Sequence, residues 1–228
     1  MSIGPRAQRA ARMPGRPQGF DDPPRDCPLC PRLVAFRIVN RASEPGWHNA
    51  PVPGFGTLDG RLLIVGLAPG LKGANRTGRP FTGDYAGDLL YPTLQEFGFA
   101  TGDYRQHVED GLALVDARLS NAVRCVPPQN KPVGSEIATC NAFLGTEIAA
   151  MNRLEAILAL GRIAHEAVLR ALGLKLSAAR FAHNARHVLD GRRLYDSYHC
   201  SRYNTNTGRL TVAMFRQVFE QIRLDLKG

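Results

Sequence analysis

The stretch Leu62-Leu63-Ile64-Val65-Gly66-Leu67-Ala68-Pro69-Gly70, running on to Arg79-Pro80-Phe81-Thr82-Gly83-Asp84, decides the fold. Four consecutive apolar residues read as a strand buried in a parallel sheet, and the strand breaks into a long glycine-rich loop. In an open α/β sheet such a loop lies at the carboxyl end of its strand, where ligands bind. Gly66, Gly70, Gly73, Gly78 and Gly83 allow backbone to approach a ligand closely. Phe81 is an aromatic with no apolar run around it, and Asp84 is placed to cap the next helix or to face the site. The loop is not a phosphate-binding P-loop, since no Gly-Lys-Ser/Thr follows. Gly66-x3-Gly70 also lacks dinucleotide spacing. A plain βα turn is the ordinary reading of one such segment, and an enzyme that handles nucleotides is the sharper one.

Working outward, the chain alternates strand and helix, which specifies a layered α/β fold. Strands are expected at Leu62–Leu67, Arg118–Cys125, Ala156–Leu160 and Arg193–Tyr198. Helices are expected from Asp84 to Phe97 with a break at Pro92, from Ser135 to Met151, from Arg162 to Leu172, and from Val212 to Leu226. The second of these places Ile137, Cys140, Leu144 and Ile148 on one face; the last places Val212, Phe215, Phe219, Ile222 and Leu226 at helical spacing. There is no internal repeat and no sign of a second domain.

The chain has 228 residues, 44% of them hydrophobic, enough for one domain with a sizeable core. It contains no apolar run of membrane-spanning length and no signal-type leader, so a cytoplasmic protein is expected. Its formal net charge is +9, mostly arginine, with a sequence pI near 9.8. That excess favours a polyanionic partner, most simply nucleic acid. Residues Met1 to Arg25 are rich in Pro, Gly, Gln and Arg and read as a disordered basic arm, leaving 26–228 as the folded domain.

Cys27-Pro28-Leu29-Cys30 follows that arm, and Cys125 and Cys140 lie far along the chain. A close pair and a distant pair that converge make a four-thiolate site for Zn²⁺ or a [4Fe–4S] cluster. Spacing alone leaves zinc, iron–sulfur and two merely buried thiols all open. Cys200, beside His199, is expected only to pack.

Two polar residues fall at expected strand ends. Asn121 has an amide that offers a donor and an acceptor side by side, which matches the N3–H and O4 of uracil; cytosine reverses the pattern. An Asn bonded to its own backbone is the plainer alternative. His199 ends the last strand and precedes a polar loop, Tyr203-Asn204-Thr205-Asn206-Thr207-Gly208-Arg209. A histidine there is able to donate to a developing negative charge.

Together the Gly66–Gly70 and Arg79–Asp84 segments, Asn121-Ala122-Val123-Arg124-Cys125, and Ser197-Tyr198-His199 with Asn204-x2-Thr207-Gly208-Arg209 resemble the motifs of family 5, or B-type, uracil-DNA glycosylases. The resemblance covers the chain from about Cys27 to the C-terminal helix. It implies an α/β/α three-layer sandwich around a four-stranded parallel sheet, and a structural [4Fe–4S] cluster on Cys27, Cys30, Cys125 and Cys140. It implies a single glycosylase domain acting as a monomer on DNA, with no nucleotide cofactor. By position Phe81 would stack on the flipped base, Asn121 would read its edge, and His199 would stabilise its negative charge. Gly66, Leu67, Ala68, Pro69 and Gly70 would line the base pocket. Ser201, Arg202, Asn204 and Arg209 belong to the loop that would press into the duplex. The family 4 relatives carry Glu where Leu67 stands here, so Asp84 becomes the candidate for positioning water. The resemblance also implies activity on further deaminated bases such as hypoxanthine. Cys200 stands where the family usually has Pro. No lysine lies in these motifs to form a Schiff base, so no strand-cleaving step is expected. A DNA-binding protein without catalysis, or one that traps DNA, is the alternative, and an electron-transfer protein is a further rival.

Overall fold

The computed structural model describes residues 20–227. In chain order the elements are α1 (Pro31–Ser43), β1 (Phe55–Gly56), β2 (Leu62–Gly66), α2 (Ala74–Thr77), α3 (Tyr85–Glu96), β3 (Ala100–Thr101), β4 (Ala113–Leu114), β5 (Ala117–Asn121), α4 (Gly134–Ala150), β6 (Ala156–Leu160), α5 (Arg162–Ala171), β7 (Arg186–Leu189), β8 (Arg192–Ser197), α6 (Arg202–Asn206) and α7 (Val212–Lys227). The main sheet runs β1-β5-β2-β6-β8-β7. Its four inner strands are parallel, as expected; the two edges, β1 and β7, are antiparallel additions that make the sheet mixed. β3 and β4 form a separate small hairpin ladder.

The sheet is covered on both faces. Leu62, Ile64, Leu119, Leu158 and Tyr195 point to one side and pack under α3 and α7; Leu63, Val65, Ile157, Ala159 and Leu194 point to the other and pack under α1, α4 and α5. Every residue of β2, β5 and β6 is buried, which explains why β2 and β6 read as near-continuous apolar runs. Topology puts the carboxyl ends of the four parallel strands on one edge.

Some sequence expectations shift. The strand expected to reach Cys125 ends at Asn121, although Ala122 and Val123 still donate to the Gly66 and Leu67 carbonyls at 2.9 and 3.0 Å. Pro92 does not break α3. It removes one donor, but Leu90, Tyr91 and Leu94 are buried on either side of it, and Thr93 returns its hydroxyl to the Leu89 carbonyl at 2.7 Å. The expected arm lies in part outside the described residues, and its last stretch is not free. The Phe20 ring stacks under the Arg118 guanidinium at 5.4 Å, and Asp22 accepts from Arg124 at 2.8 Å. Buried arginines demand anions, and Asp22 supplies one.

Those arginines surround Glu147, whose side chain is fully buried in α4. Its carboxylate accepts from Arg118 Nε and Ser120 Oγ of β5, both at 2.6 Å, and from Arg124 Nη2 at 2.5 Å. One carboxylate therefore ties a helix to the end of the strand that carries Asn121. A buried charge stripped of its partner costs far more than a surface pair. Glu147→Gln keeps the shape and removes the charge, and we expect it to destabilise the fold by about 3–5 kcal/mol, read as a lower urea midpoint.

Candidate functional site

At the carboxyl edge of the sheet a cleft of about 560 Å³ is lined by Leu67–Ala74, Phe81, Asp84–Ala86, Asn121, Asn130, His199, Ser201 and Arg202. Four separate segments meet there. Register explains the first contact: Gly66 and Asn121 are paired neighbours at the ends of β2 and β5. A side chain on Gly66 would fall 2.5 Å from both Asn121 Oδ1 and the Phe81 ring, so a glycine is required for the amide and the ring to share this floor. Gly66 itself lies behind them rather than on the cleft wall. The Asn121 side chain is buried, and no protein partner of its amide is found among the described residues. Its donor and acceptor are therefore available to a ligand.

Phe81 has φ of +54°, a left-handed conformation that a bulky residue adopts only under constraint. The constraint is visible. Arg79 makes a bidentate pair with Asp110 at 2.9 and 2.7 Å, both side chains being buried. Its guanidinium also lies over the Phe55, Tyr91 and Tyr104 rings. Tyr91 donates to the Pro80 carbonyl at 2.6 Å and Tyr104 to the Phe81 carbonyl at 3.3 Å. A Cβ on Gly87 would collide with that same Phe81 carbonyl at 1.9 Å. Arg79 thus holds the motif in shape and does not face the cleft. The Arg79 guanidinium holds the Asp110 carboxyl well below the usual range.

Asp84 caps α3, accepting from the Ala86 N–H at 3.1 Å, and its other oxygen sits against Gly70 and Gly73. It therefore does both things its position suggested: it caps the helix and lines the cleft. Burial raises its pKa, opposed by the Gly87 and Ala86 N–H groups. His199 lies beside Phe81, ring centroids 6.3 Å apart. Its backbone carbonyl is fixed by Asn204 Nδ2 at 2.8 Å, while its ring nitrogens have no partner among the described residues. Shielding from water pushes its pKa down to about 4. The imidazole is neutral at physiological pH, a donor at one nitrogen and an acceptor at the other. Cys200 is fully buried in the core next to it and packs, as expected.

The loop after His199 forms a short helix, α6, capped by Ser201. Ser201 and Arg202 line the main cleft, with Arg202 over the Tyr85 ring at 5.4 Å. Asn204 and Arg209 do not reach it; they line an adjoining groove with Arg162, Phe181 and Tyr198, and His199 borders both spaces. Sequence reading missed Lys72, Tyr85 and Asn130 as lining residues. Lys72 lies between Gly70 and Gly73, outside the quoted motifs, which themselves contain no lysine. Asn130, with φ of +57°, lies in a turn five residues beyond Cys125 and outside every quoted motif.

The cysteines converge on a second place. Cys27, Cys30, Cys125 and Cys140 line one small cavity with Arg37, Leu33 and Phe143. Arg37 Nη1 points to Cys125 Sγ at 3.8 Å, and the Arg124 N–H to Cys140 Sγ at 3.3 Å. Arg37 is buried, makes no ion pair among the described residues, and leaves its Nε unpartnered. Burial pushes Cys125 up to about 12 and raises Cys30 and Cys140 as well.

A family model described as the uracil DNA glycosylase superfamily matches residues 53–223. A type-5 uracil-DNA glycosylase of Thermus thermophilus is 47% identical over 204 residues, covering 86% of this chain and 92% of that one. A type-5 uracil-DNA glycosylase of Pyrobaculum aerophilum is 38% identical, covering 88% and 89%. A type-4 uracil-DNA glycosylase of Thermotoga maritima is 34% identical over 172 residues, covering 74% and 80%.

The low pKa of His199 has a checkable sign. The unfolded chain takes up a proton near pH 6.5, whereas the folded ring waits until about 4, so this residue subtracts stability as pH falls across that window. We expect the His199 ring resonances to stay fixed on titration from about pH 8 to 5.5 and to move only near 4; a midpoint at the ordinary value would mean a hydrated ring.

Proposed function

The chain belongs to the uracil DNA glycosylase superfamily, and from that premise we propose that it excises uracil from DNA by hydrolysing the N-glycosidic bond and leaving an abasic site. The observation that carries this reading is the meeting of Phe81, Asp84, Asn121 and His199 around one cleft.

The excess of basic residues draws the protein to DNA. The target nucleotide leaves the stack at a cost of a few kcal/mol, less where it is mispaired. In the cleft the base lies on Phe81, and the Asn121 amide donates to O4 and accepts from N3–H. The Leu67–Gly70 stretch lines the wall beside it. When the C1′–N bond breaks, its electron pair goes to the base and the sugar becomes oxocarbenium-like. His199, neutral and shielded, donates to the oxygen where negative charge gathers. Such a donor needs no prior proton uptake, which suits a reaction at neutral pH. Asp84 offsets the sugar's positive charge and orients the water whose oxygen bonds to C1′. Leu67 offers no carboxylate, so this work falls to Asp84. The same open amide and aromatic floor extend the substrate range to hypoxanthine. Ser201 and Arg202 sit where the strand enters, and the neighbouring Tyr203, 72% exposed, fills the space the base vacates. Lys72 is exposed in the same cleft and reads as a phosphate contact, not a Schiff-base donor.

For the four cysteines the reading is a [4Fe–4S] cluster on Cys27, Cys30, Cys125 and Cys140. Two observations support it. All four thiols line one small cavity. The buried, unpaired Arg37 also calls for an anionic partner, which thiolates on a cluster provide. The cluster would supply a cross-link between the N-terminal segment, β5 and α4, and no chemistry of the glycosidic bond. The protein acts as a monomer in this reading.

A duplex oligonucleotide with a single labelled uracil or hypoxanthine tests the assignment. We expect strand cleavage only after alkali and no product trapped by borohydride. His199→Ala should lower the single-turnover rate about 10²–10³-fold, and Phe81→Ala should weaken it through lost stacking. Unchanged activity in both variants would sink the site assignment, and a protein that binds the duplex without excising would be a binding module. For the cluster, we expect about four irons per chain and a brown protein that Cys140→Ser bleaches and destabilises; zinc in place of iron would overturn that half.

A further inference from the structure

A third cluster of ligating groups lies apart from both sites. His165 of α5, His187 of β7 and Asp196 of β8 bring one nitrogen or carboxylate oxygen each to within 4.8 Å of one another. Asp196 is fully buried and His165 nearly so, at 0 and 2% side-chain exposure; His187 keeps 21%.

The hydrogen-bond inventory there does not close with protein atoms. His165 Nε2 lies 3.1 Å from the Ala179 carbonyl, which only accepts, so that nitrogen carries its proton. In the neutral ring Nδ1 is then a bare lone pair, yet it faces Asp196 Oδ1 at 2.7 Å. Two acceptors at that distance need a proton or a cation shared by them. Beside them Asp196 Oδ2 and His187 Nε2 stand 3.4 Å apart, both buried and both without a hydrogen bond. A proton on His165 Nδ1 would serve only the first pair. A neutral His187 with its proton on Nε2 would face Oδ2 at 3.4 Å, where neither atom makes a hydrogen bond, so the second pair stays open. One divalent cation satisfies all of these atoms.

We propose that His165 Nδ1, His187 Nε2 and the Asp196 carboxylate form a binding site for a divalent transition metal of the zinc class. Imidazole and carboxylate ligands suit such ions; zinc would hold its N and O ligands about 3.3 Å apart, which the His187–Asp196 pair matches at 3.4 Å, while the His165–Asp196 pair at 2.7 Å would have to open by about 0.6 Å. The contact of His165 Nε2 with a backbone carbonyl is the outer-shell bond that ligating histidines commonly make. The partly exposed His187 ring gives the ion an entry path. Metal here staples the edge strand β7 to α5 and to β8, three residues ahead of His199. Its role is to brace the strand end; none of its three residues lines the cleft, and it takes no part in bond breaking.

The test uses the purified protein with its cysteine site loaded with iron, washed with a mild chelator. Zn²⁺ is titrated in competition with a chromogenic chelator, and Co²⁺ is added in parallel for its absorption spectrum. We expect one equivalent bound, a higher Tm with metal, and a cobalt spectrum of nitrogen and oxygen ligands. His187→Gln, a change on a half-exposed edge strand, should weaken binding at least tenfold and abolish the Tm rise. Because a variant can fail by misfolding, the wild type is also read by ¹⁵N NMR: with zinc, His165 should keep a proton on Nε2 and lose any on Nδ1. The proposal fails if wild type and variant bind alike, if cobalt shows thiolate charge transfer, or if His165 stays doubly protonated in excess zinc.

Discussion

The carboxylate of Glu147 is the constraint on which the rest depends. It lies in a fully buried place, takes hydrogen bonds from Arg118, Ser120 and Arg124, and so fixes β5 against α4. Arg118 and Ser120 come just before Asn121, while Arg124 comes just before Cys125 and donates its backbone N–H to Cys140 Sγ. The amide that lines the cleft and two of the four cysteines are therefore positioned by one ion network. Asp22 completes it from the other end of the chain, reaching Arg124 across 102 residues. A hydrophobic pair of similar volume would hold the elements together as well, but it would not set the rotation of the strand end.

Around that anchor the base cleft is built from rigid parts. Phe81 is held in a strained conformation by the buried Arg79–Asp110 pair and two tyrosine hydroxyls, and Gly87 leaves room for its carbonyl. Strain of this kind costs about 1–3 kcal/mol and persists only where surroundings over-determine it. The result is an aromatic surface fixed before any ligand arrives, which spares the ordering entropy of binding.

Much of this was legible in the sequence because burial on both faces leaves an unambiguous mark. Leu62–Val65 and Ala156–Leu160 read as strands for that reason, and Ile137, Cys140, Leu144 and Ile148 showed the inward face of α4. The edges β1 and β7 were not legible: one has two residues, and the other alternates exposed and half-buried side chains that Arg and His can satisfy. α6 has too little apolar content to show a helical period, and only its Ser201 cap betrays it. Asp84, Asn121, His199 and Phe81 were found because motif residues at strand ends must converge in a parallel sheet. Asn204 and Arg209, expected in the loop that follows His199, line the groove beside the cleft. Pairing of buried charges, such as Asp22 with Arg124, has no local signal at all.

The position of α7 bears on how the chain is made. Phe215, Val218, Phe219, Ile222 and Leu226 cover the face of the sheet formed by Leu62, Ile64, Leu119 and Leu158, and the Leu226 carbonyl is held by Arg61 across 165 residues. During synthesis every strand leaves the ribosome before this cover exists. The opposite face closes earlier, under α1, α4 and α5. A nascent chain thus carries one finished layer and one apolar face covered only in part, by α3, until translation passes α7, and in that interval it depends on chaperones or on speed to escape aggregation.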